Sequence, residues 1–120
     1  MSFQATVRSL GDVAVVDLAG RLVLGEAATT LRDTVAELVG GGKKKIVLNL
    51  TDVTHLDSAG MGEMFAVCAT VTRAGGEIKL VSPAGKIHDQ MEVTKLSAVF
   101  TEYPNEEAAA GSFRRQPTKV

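Results

Sequence analysis

Ser58 is the residue of this chain whose surroundings are best suited to chemistry. It lies in the run His55-Leu56-Asp57-Ser58-Ala59-Gly60-Met61-Gly62, between a predicted buried strand and a predicted amphipathic helix. The first amide groups of a helix lack partners inside the helix and carry the positive end of its dipole. A negative charge on the Ser58 hydroxyl, such as a phosphate, is therefore stabilised there. The two glycines leave little side chain on the first turn, so a partner's backbone or a nucleotide phosphate could approach Ser58 closely.

Asp57 precedes this serine and is the expected N-cap of the helix. Its carboxylate is predicted to accept a hydrogen bond from an amide in the region of Ala59 and Gly60. Asp-Ser-x-Gly is a short pattern, and both residues could serve as caps alone. The junction leaves two interpretations open, a simple cap or a modification site.

His55, Asp57 and Ser58 are the residue types of a hydrolytic triad, but their spacing argues against an enzyme. Neighbouring side chains on an extended segment point in different directions, whereas a triad needs its base within about 3 Å of the nucleophile. The chain has no G-x-S-x-G elbow. Its second histidine, His88, falls in a predicted helix, where a structural role is expected. We therefore predict a protein that is not an enzyme.

Metal and cofactor sites are not predicted either. The single cysteine, Cys68, excludes an internal disulfide and a cysteine-rich zinc site, and its place in an apolar helical stripe predicts burial. Two distant histidines give no cluster of metal ligands. No G-x-x-x-x-G-K-[ST] loop is present, although a helix N-terminus could still attract a phosphate-bearing small molecule.

The composition predicts a cytoplasmic globular protein whose partner is another protein. The chain has 120 residues and a formal net charge of −1, so it lacks the basic face on which nucleic-acid binding depends. Its basic run, Lys43-Lys44-Lys45, is expected to be a solvated turn. With no Trp and a single Tyr, the chain offers no stacking platform for single-stranded nucleic acid. The lack of a long apolar run and of a secretory start predicts no membrane association.

Hydrophobic periodicity predicts alternating strands and helices around the junction. A hairpin is predicted from strands at 3–8 and 13–18 joined by Gly11-Asp12. Helical spacing follows at 26–39 and ends at a triple glycine. The later elements are predicted in this order: a central strand at 45–50, a helix from the junction to Gly75-Gly76, a strand at 77–81, a helix at about 82–91, a strand at 99–103 and a short helix at about 105–110.

This order predicts an α/β fold with one domain, a mixed sheet of four or five strands and about four helices. The N-terminal hairpin is antiparallel, and the remaining strands are largely parallel with right-handed crossovers. Functional sites in such sheets usually lie beyond the carboxyl ends of parallel strands, where the segment 52–62 is expected. The domain is predicted to span residues 1–113, with a flexible polar tail at 114–120.

Three motifs of this chain resemble the STAS domain, and within it the bacterial anti-sigma factor antagonists. They are Leu18-Ala19-Gly20-Arg21-Leu22, Ile46-Val47-Leu48-Asn49-Leu50-Thr51-Asp52-Val53 and Leu56-Asp57-Ser58-Ala59-Gly60-Met61-Gly62. The resemblance implies that Ser58 is phosphorylated by an anti-sigma factor that is also a serine kinase using ATP. The unphosphorylated form would bind that partner and free a sigma factor, and a phosphatase would reverse the phosphorylation. Related antagonists often carry a second hydroxyl residue after the target, whereas this chain has Ala59 there.

The surface that contacts this partner is expected around Ser58. Met61 could equally belong to the core, and Met64 is expected nearer to the exposed edge. A monomer or weak dimer is expected. The alternative function is a STAS interaction module in a stress-signalling scaffold or a transport system, without sigma-factor control. The full set of predicted contact residues is Gly20, Arg21, Asp52, Thr54, His55, Asp57, Ala59, Gly60, Met61, Gly62 and Met64.

Overall fold

Five strands form one mixed sheet in the computed structural model, which describes residues 3–81 and 101–114. The strands are β1 (Gln4–Leu10), β2 (Val13–Leu22), β3 (Lys45–Leu56), β4 (Glu77–Val81) and β5 (Thr101–Tyr103), and the helices described are α1 (Glu26–Gly40), α2 (Ser58–Arg73) and α3 (Glu106–Arg114). The sheet order is β1-β2-β3-β4-β5. The β1–β2 pair is antiparallel and the other pairs are parallel. The predicted α/β class, mixed sheet and N-terminal hairpin are confirmed.

Apolar side chains cover both faces of β3, as the continuous apolar run at 45–50 predicts. Ile46 and Leu48 belong to the larger core cluster, together with Met64 of α2. Val47 belongs to a second cluster on the opposite face, together with Phe113 of α3. This alternation has the period of two that a strand imposes. Because β3 is central and buried on both faces, its packing fixes the position of the residues at its carboxyl end.

β3 continues six residues past its predicted end. The prediction stops at residue 50, where apolar alternation stops, but the strand runs to Leu56. Its last buried residues, Leu50, Val53 and Leu56, are spaced three apart rather than two. The cause is two register shifts in the pairing of β2 with β3, since each irregularity interrupts the alternation of faces. Positions 52–55 therefore lie in a strand rather than in a loop.

Polar groups and a glycine accommodate these irregularities. Asn49 Oδ1 accepts hydrogen bonds from the Thr51 backbone N–H at 3.1 Å and from the Thr51 hydroxyl at 2.6 Å. Asn49 Nδ2 donates to Asp17 at 2.9 Å. The second irregularity begins at Gly20, whose φ of +97° favours glycine. Both strands thus reach the junction as paired strands, although neither keeps a regular register.

The C-terminal elements differ modestly from the prediction. The last strand is described from Thr101 to Tyr103, and α3 runs to Arg114, four residues beyond the predicted helix end. Arg114 is therefore the last helical residue rather than the first residue of the predicted tail. The helix predicted at 82–91, the first residues of the strand predicted at 99–103 and residues 115–120 lie outside the described residues. Within the described ranges, no helix has the length and apolar character needed to cross a membrane.

Candidate functional site

Asp57 joins the start of α2 to the loop that follows β2. Its Oδ1 accepts a hydrogen bond from the Gly60 backbone N–H at 2.8 Å, and its Oδ2 accepts one from the Leu24 backbone N–H at 3.0 Å. The first bond confirms the predicted N-cap. The second spans 33 residues of sequence, so local spacing gives no sign of it. One carboxylate therefore fixes both the helix end and the neighbouring loop.

Both hydrogen bonds favour the ionised form of the Asp57 carboxyl. The backbone N–H of Leu24 and, next, that of Gly60 hold the pKa of this carboxyl below its usual range. A carboxyl whose pKa is lower in the folded protein stabilises the fold at any pH above its unfolded pKa of about 3.9. That stabilisation is lost as the pH falls through the folded pKa.

We expect Asp57→Asn to lower the free energy of unfolding by about 1 kcal/mol at pH 7, because the amide keeps one acceptor oxygen and loses the other. Asparagine does not titrate, so the difference between the two proteins should shrink as the pH is lowered from about 6 to about 3. Urea unfolding at several pH values measures this difference. If it stays constant across that range, the stabilisation does not come from the ionised carboxylate.

Ser58 is the first residue of α2, and it is exposed. The Gly60 backbone N–H is already bound by Asp57, and the first intrahelical bond runs from Met61 N to Asp57 O at 2.9 Å. The other two backbone N–H groups of the first turn are those of Ser58 and Ala59. An anionic group on Ser58 would lie at the positive end of the helix dipole.

The two glycines near Ser58 have different roles. Gly60 is buried, and a Cβ at this position would lie 2.1 Å from the Leu22 carbonyl oxygen and 3.1 Å from Leu56 Cδ1. Gly62 is exposed, and a Cβ there would meet nothing within 4 Å. The expectation that both glycines open the helix to a partner is wrong for Gly60, which instead lets α2 lie directly against the β2 backbone.

Met64 lies in the core rather than near the exposed edge. Its exposed fraction is 0%, because it follows Gly60 by one helical turn and shares the face that packs on the sheet. Met64 is therefore removed from the predicted contact surface. Met61 and Cys68 are partly buried against the same core. The burial predicted for Cys68 is thus only partial.

The remaining predicted contact residues lie on the paired ends of β2 and β3. The second strand is predicted to end at residue 18, but Gly20 and Arg21 belong to β2 and pair with the end of β3. Asp52, Thr54 and His55 lie in β3, and all three are exposed. These residues therefore lie beside the junction, as expected, and they belong to paired strands rather than to a loop.

His55 does not form a triad with its neighbours. Its Nδ1 lies 2.9 Å from the Thr54 hydroxyl oxygen, whereas both oxygens of Asp57 accept bonds from the backbone. Asp57 therefore orients a helix end and a loop, not an imidazole.

Leu24 is the surface residue that sequence reasoning missed. It is 78% exposed and lies between β2 and α1, where it helps to line an open depression of about 410 Å³ together with Phe3, Arg21 and Ala27. A single apolar residue in a loop carries no signal of its position. Its bond to Asp57 is what places it beside Ser58.

A family model now identifies this arrangement. The model of the STAS domain matches residues 4–109 of this chain. The chain belongs to the STAS domain family. The resemblance drawn from the three motifs is confirmed, and those motifs lie in β2, in β3 and at the start of α2 of the STAS fold.

Relatives of this STAS chain include proteins named for sigma-factor control. A Thermotoga maritima protein named as a candidate anti-sigma factor antagonist is 30% identical over 80 residues, which cover 67% of this chain and 71% of the relative. The crystal structure of TM1081 from Thermotoga maritima, also named so, has a TM-score of 0.84 at 27% identity, covering 92% of this chain and 95% of that one. The phosphorylated form of Bacillus SpoIIAA has a TM-score of 0.68 at 18% identity, covering 91% and 99%. That last likeness shows the shared fold alone.

Proposed function

We propose that this STAS protein is a cytoplasmic anti-sigma factor antagonist that is switched by one phosphate. When Ser58 is unmodified, the protein binds an anti-sigma factor with serine-kinase activity and frees a sigma factor. Phosphorylation of Ser58 by that kinase ends the binding, and a phosphatase restores it. Ser58 is then a substrate rather than a catalyst, and the protein has no enzymatic activity of its own.

The observation that carries this proposal is an exposed hydroxyl on a helix end that is already capped. Asp57 uses both carboxylate oxygens on backbone N–H groups, so capping accounts for Asp57 and leaves the Ser58 hydroxyl accessible to a kinase. The curated relative named as an anti-sigma factor antagonist supports the same role. The fold shared with phosphorylated SpoIIAA is compatible with a phosphate on this scaffold.

The position of Ser58 also explains why a phosphate can act without unfolding the domain. The helix N-terminus favours an anion by about 0.3 to 1 kcal/mol. The neighbouring Asp57 charge opposes the phosphate, but two N–H donors already compensate that charge. These two effects on the stability of the fold are small and opposite in sign. The phosphate therefore acts mainly on the binding of a partner protein at Ser58.

The test is a mass measurement with mapping of the modified residue. The protein is incubated with ATP and with each candidate serine-kinase anti-sigma factor from its own genome. We expect one phosphate on Ser58, absent from Ser58→Ala and retained in Thr72→Ala, which removes another exposed hydroxyl from the same helix. Modification at another residue, or none with any candidate, would contradict the proposal. That result would favour the interaction module in a scaffold or a transport system.

A further inference from the structure

Exposed large apolar side chains are few among the described residues, and two of them lie close to Ser58. They are Val7, Leu24 and Phe65, with exposed fractions of 44%, 78% and 39%. Val7 lies on the edge strand β1, whereas Leu24 is bonded to the N-cap of α2 and Phe65 lies about two turns into α2. Exposed apolar surface with polar residues at its edge commonly marks a contact surface.

Leu24 is held on one side of Ser58 by the Asp57 carboxylate. The Leu24 backbone N–H donates to Asp57 Oδ2 at 3.0 Å, so its main chain approaches the residue that immediately precedes Ser58. The side chain nevertheless stays 78% exposed. The loop is therefore fixed at its backbone while its apolar side chain remains available.

Phe65 lies on the other side, on the same face of α2 as Ser58. Seven residues are almost two full turns, so Phe65 follows Ser58 on this face at a distance of about 10 Å along the axis. The exposed residues of α2 before Arg73 are all uncharged: Ser58, Gly62, Phe65, Ala66, Ala69 and Thr72.

The acid of α2 does not interrupt this uncharged face. Glu63 is 8% exposed and forms an ion pair with Arg32 of α1 at 3.0 Å. Its charge is therefore turned toward α1 and compensated there. The surface from Leu24 across Ser58 to Phe65, which we name the docking strip, is uncharged along α2, and the Asp57 carboxylate beside Leu24 is bound by two backbone N–H groups.

The size of protein interfaces indicates what covers the docking strip. A specific interface buries about 800 Å² on each partner, which corresponds to a disc with a radius of about 16 Å. The active site of a kinase that phosphorylates Ser58 must reach that hydroxyl. A contact area of this size centred on Ser58 contains both ends of the docking strip.

We propose that Leu24 and Phe65 are apolar docking residues for the serine kinase that modifies Ser58. Each side chain enters an apolar pocket beside the kinase's catalytic cleft. This inference rests on the proposed function and adds the chemistry by which the partner holds its substrate. Contacts of this kind are equally strong before and during phosphoryl transfer, so their loss raises KM and leaves kcat unchanged.

Steady-state phosphorylation of Ser58 by the kinase identified in the mass measurement tests this inference. The variants are Leu24→Gln, Phe65→Gln and the double variant, with Val7→Gln as the matched control on β1. Losing one buried apolar side chain raises KM about tenfold, and the double variant raises it about a hundredfold. We expect kcat to stay within about twofold in all of them and KM to be unchanged in Val7→Gln. Thermal melting checks that each variant is folded.

The outcomes separate this inference from the proposed function. If the wild type is phosphorylated on Ser58 and the KM values of the Leu24 and Phe65 variants do not change, the docking role is wrong and the proposed function stands. An equal rise in KM for Val7→Gln, or a fall in kcat at constant KM, would also overturn the docking role. If no candidate kinase phosphorylates the wild type, both the proposed function and the docking role are wrong.

Discussion

Gly60→Ala is expected to lower the free energy of unfolding by about 3 kcal/mol or more, because the new methyl group overpacks a contact between two backbones. The added Cβ would lie 2.1 Å from the Leu22 carbonyl oxygen, and this oxygen belongs to a paired strand. Any movement of α2 away from β2 would disrupt core packing, since both elements pack on the central core. Chemical denaturation of the variant and the wild type measures the loss.

Gly62→Ala is the matched control, two residues further along the same helix. A Cβ at position 62 meets nothing within 4 Å. Alanine at an exposed helical position is favoured over glycine by about 0.5 to 1 kcal/mol. The two variants should therefore shift the unfolding midpoint in opposite directions. Equal effects would mean that α2 does not approach β2 at Gly60 as described.

Phosphorylation of Ser58 is expected to weaken kinase binding by roughly two to four orders of magnitude. A charge of about −2 placed ~6 Å from one partner carboxylate is repelled by roughly 1 to 6 kcal/mol, for effective dielectric constants between ~80 and ~20. The upper half of this energy range corresponds to a loss of roughly two to four orders of magnitude in affinity, since each 1.4 kcal/mol is about tenfold in affinity. Desolvation of the phosphate adds to the repulsion.

Ser58→Asp carries half of the charge of the phosphate. Ser58→Asn has nearly the same shape as that aspartate but carries no charge. We expect Ser58→Asp to weaken binding by about one to two orders of magnitude, and Ser58→Asn to weaken it much less. Neither change should alter the midpoint of thermal unfolding by more than a few degrees, because position 58 is exposed at a helix N-terminus. Calorimetric titration with the kinase and thermal melting give both quantities. A collapse of the fold in Ser58→Asp would contradict an effect located at the interface.

Local patterns predicted the parts of this fold that local physics determines. The periodicity at 26–39 predicts a helix, and α1 spans Glu26–Gly40, because its buried residues repeat at helical spacing until glycines end it. The Asp57 cap was predictable for the same reason, since donor and acceptor lie three residues apart. The end of β3 was not predictable, because register shifts replace the period-two pattern between Leu50 and Leu56.

Contacts between distant segments account for what sequence reasoning missed at the site. The bond from Leu24 to Asp57 joins residues 33 positions apart, and neither residue type predicts the other. Gly60 and Gly62 look alike in the sequence, although one touches a strand backbone and the other faces solvent. Met64 was misplaced because the face of α2 that packs on the sheet is the one on which Gly60 approaches β2. These are properties of the assembled fold rather than of any segment.

The most direct test of the central claim is displacement of a labelled sigma factor from its complex with the anti-sigma kinase, followed by fluorescence anisotropy. The unmodified protein is compared with the same protein carrying one mapped phosphate on Ser58. We expect the unmodified form to release the sigma factor, and the phosphorylated form to need roughly a hundredfold higher concentration or more for the same release. Equal release by both forms would contradict a switch at Ser58, and release by neither would contradict the antagonist function.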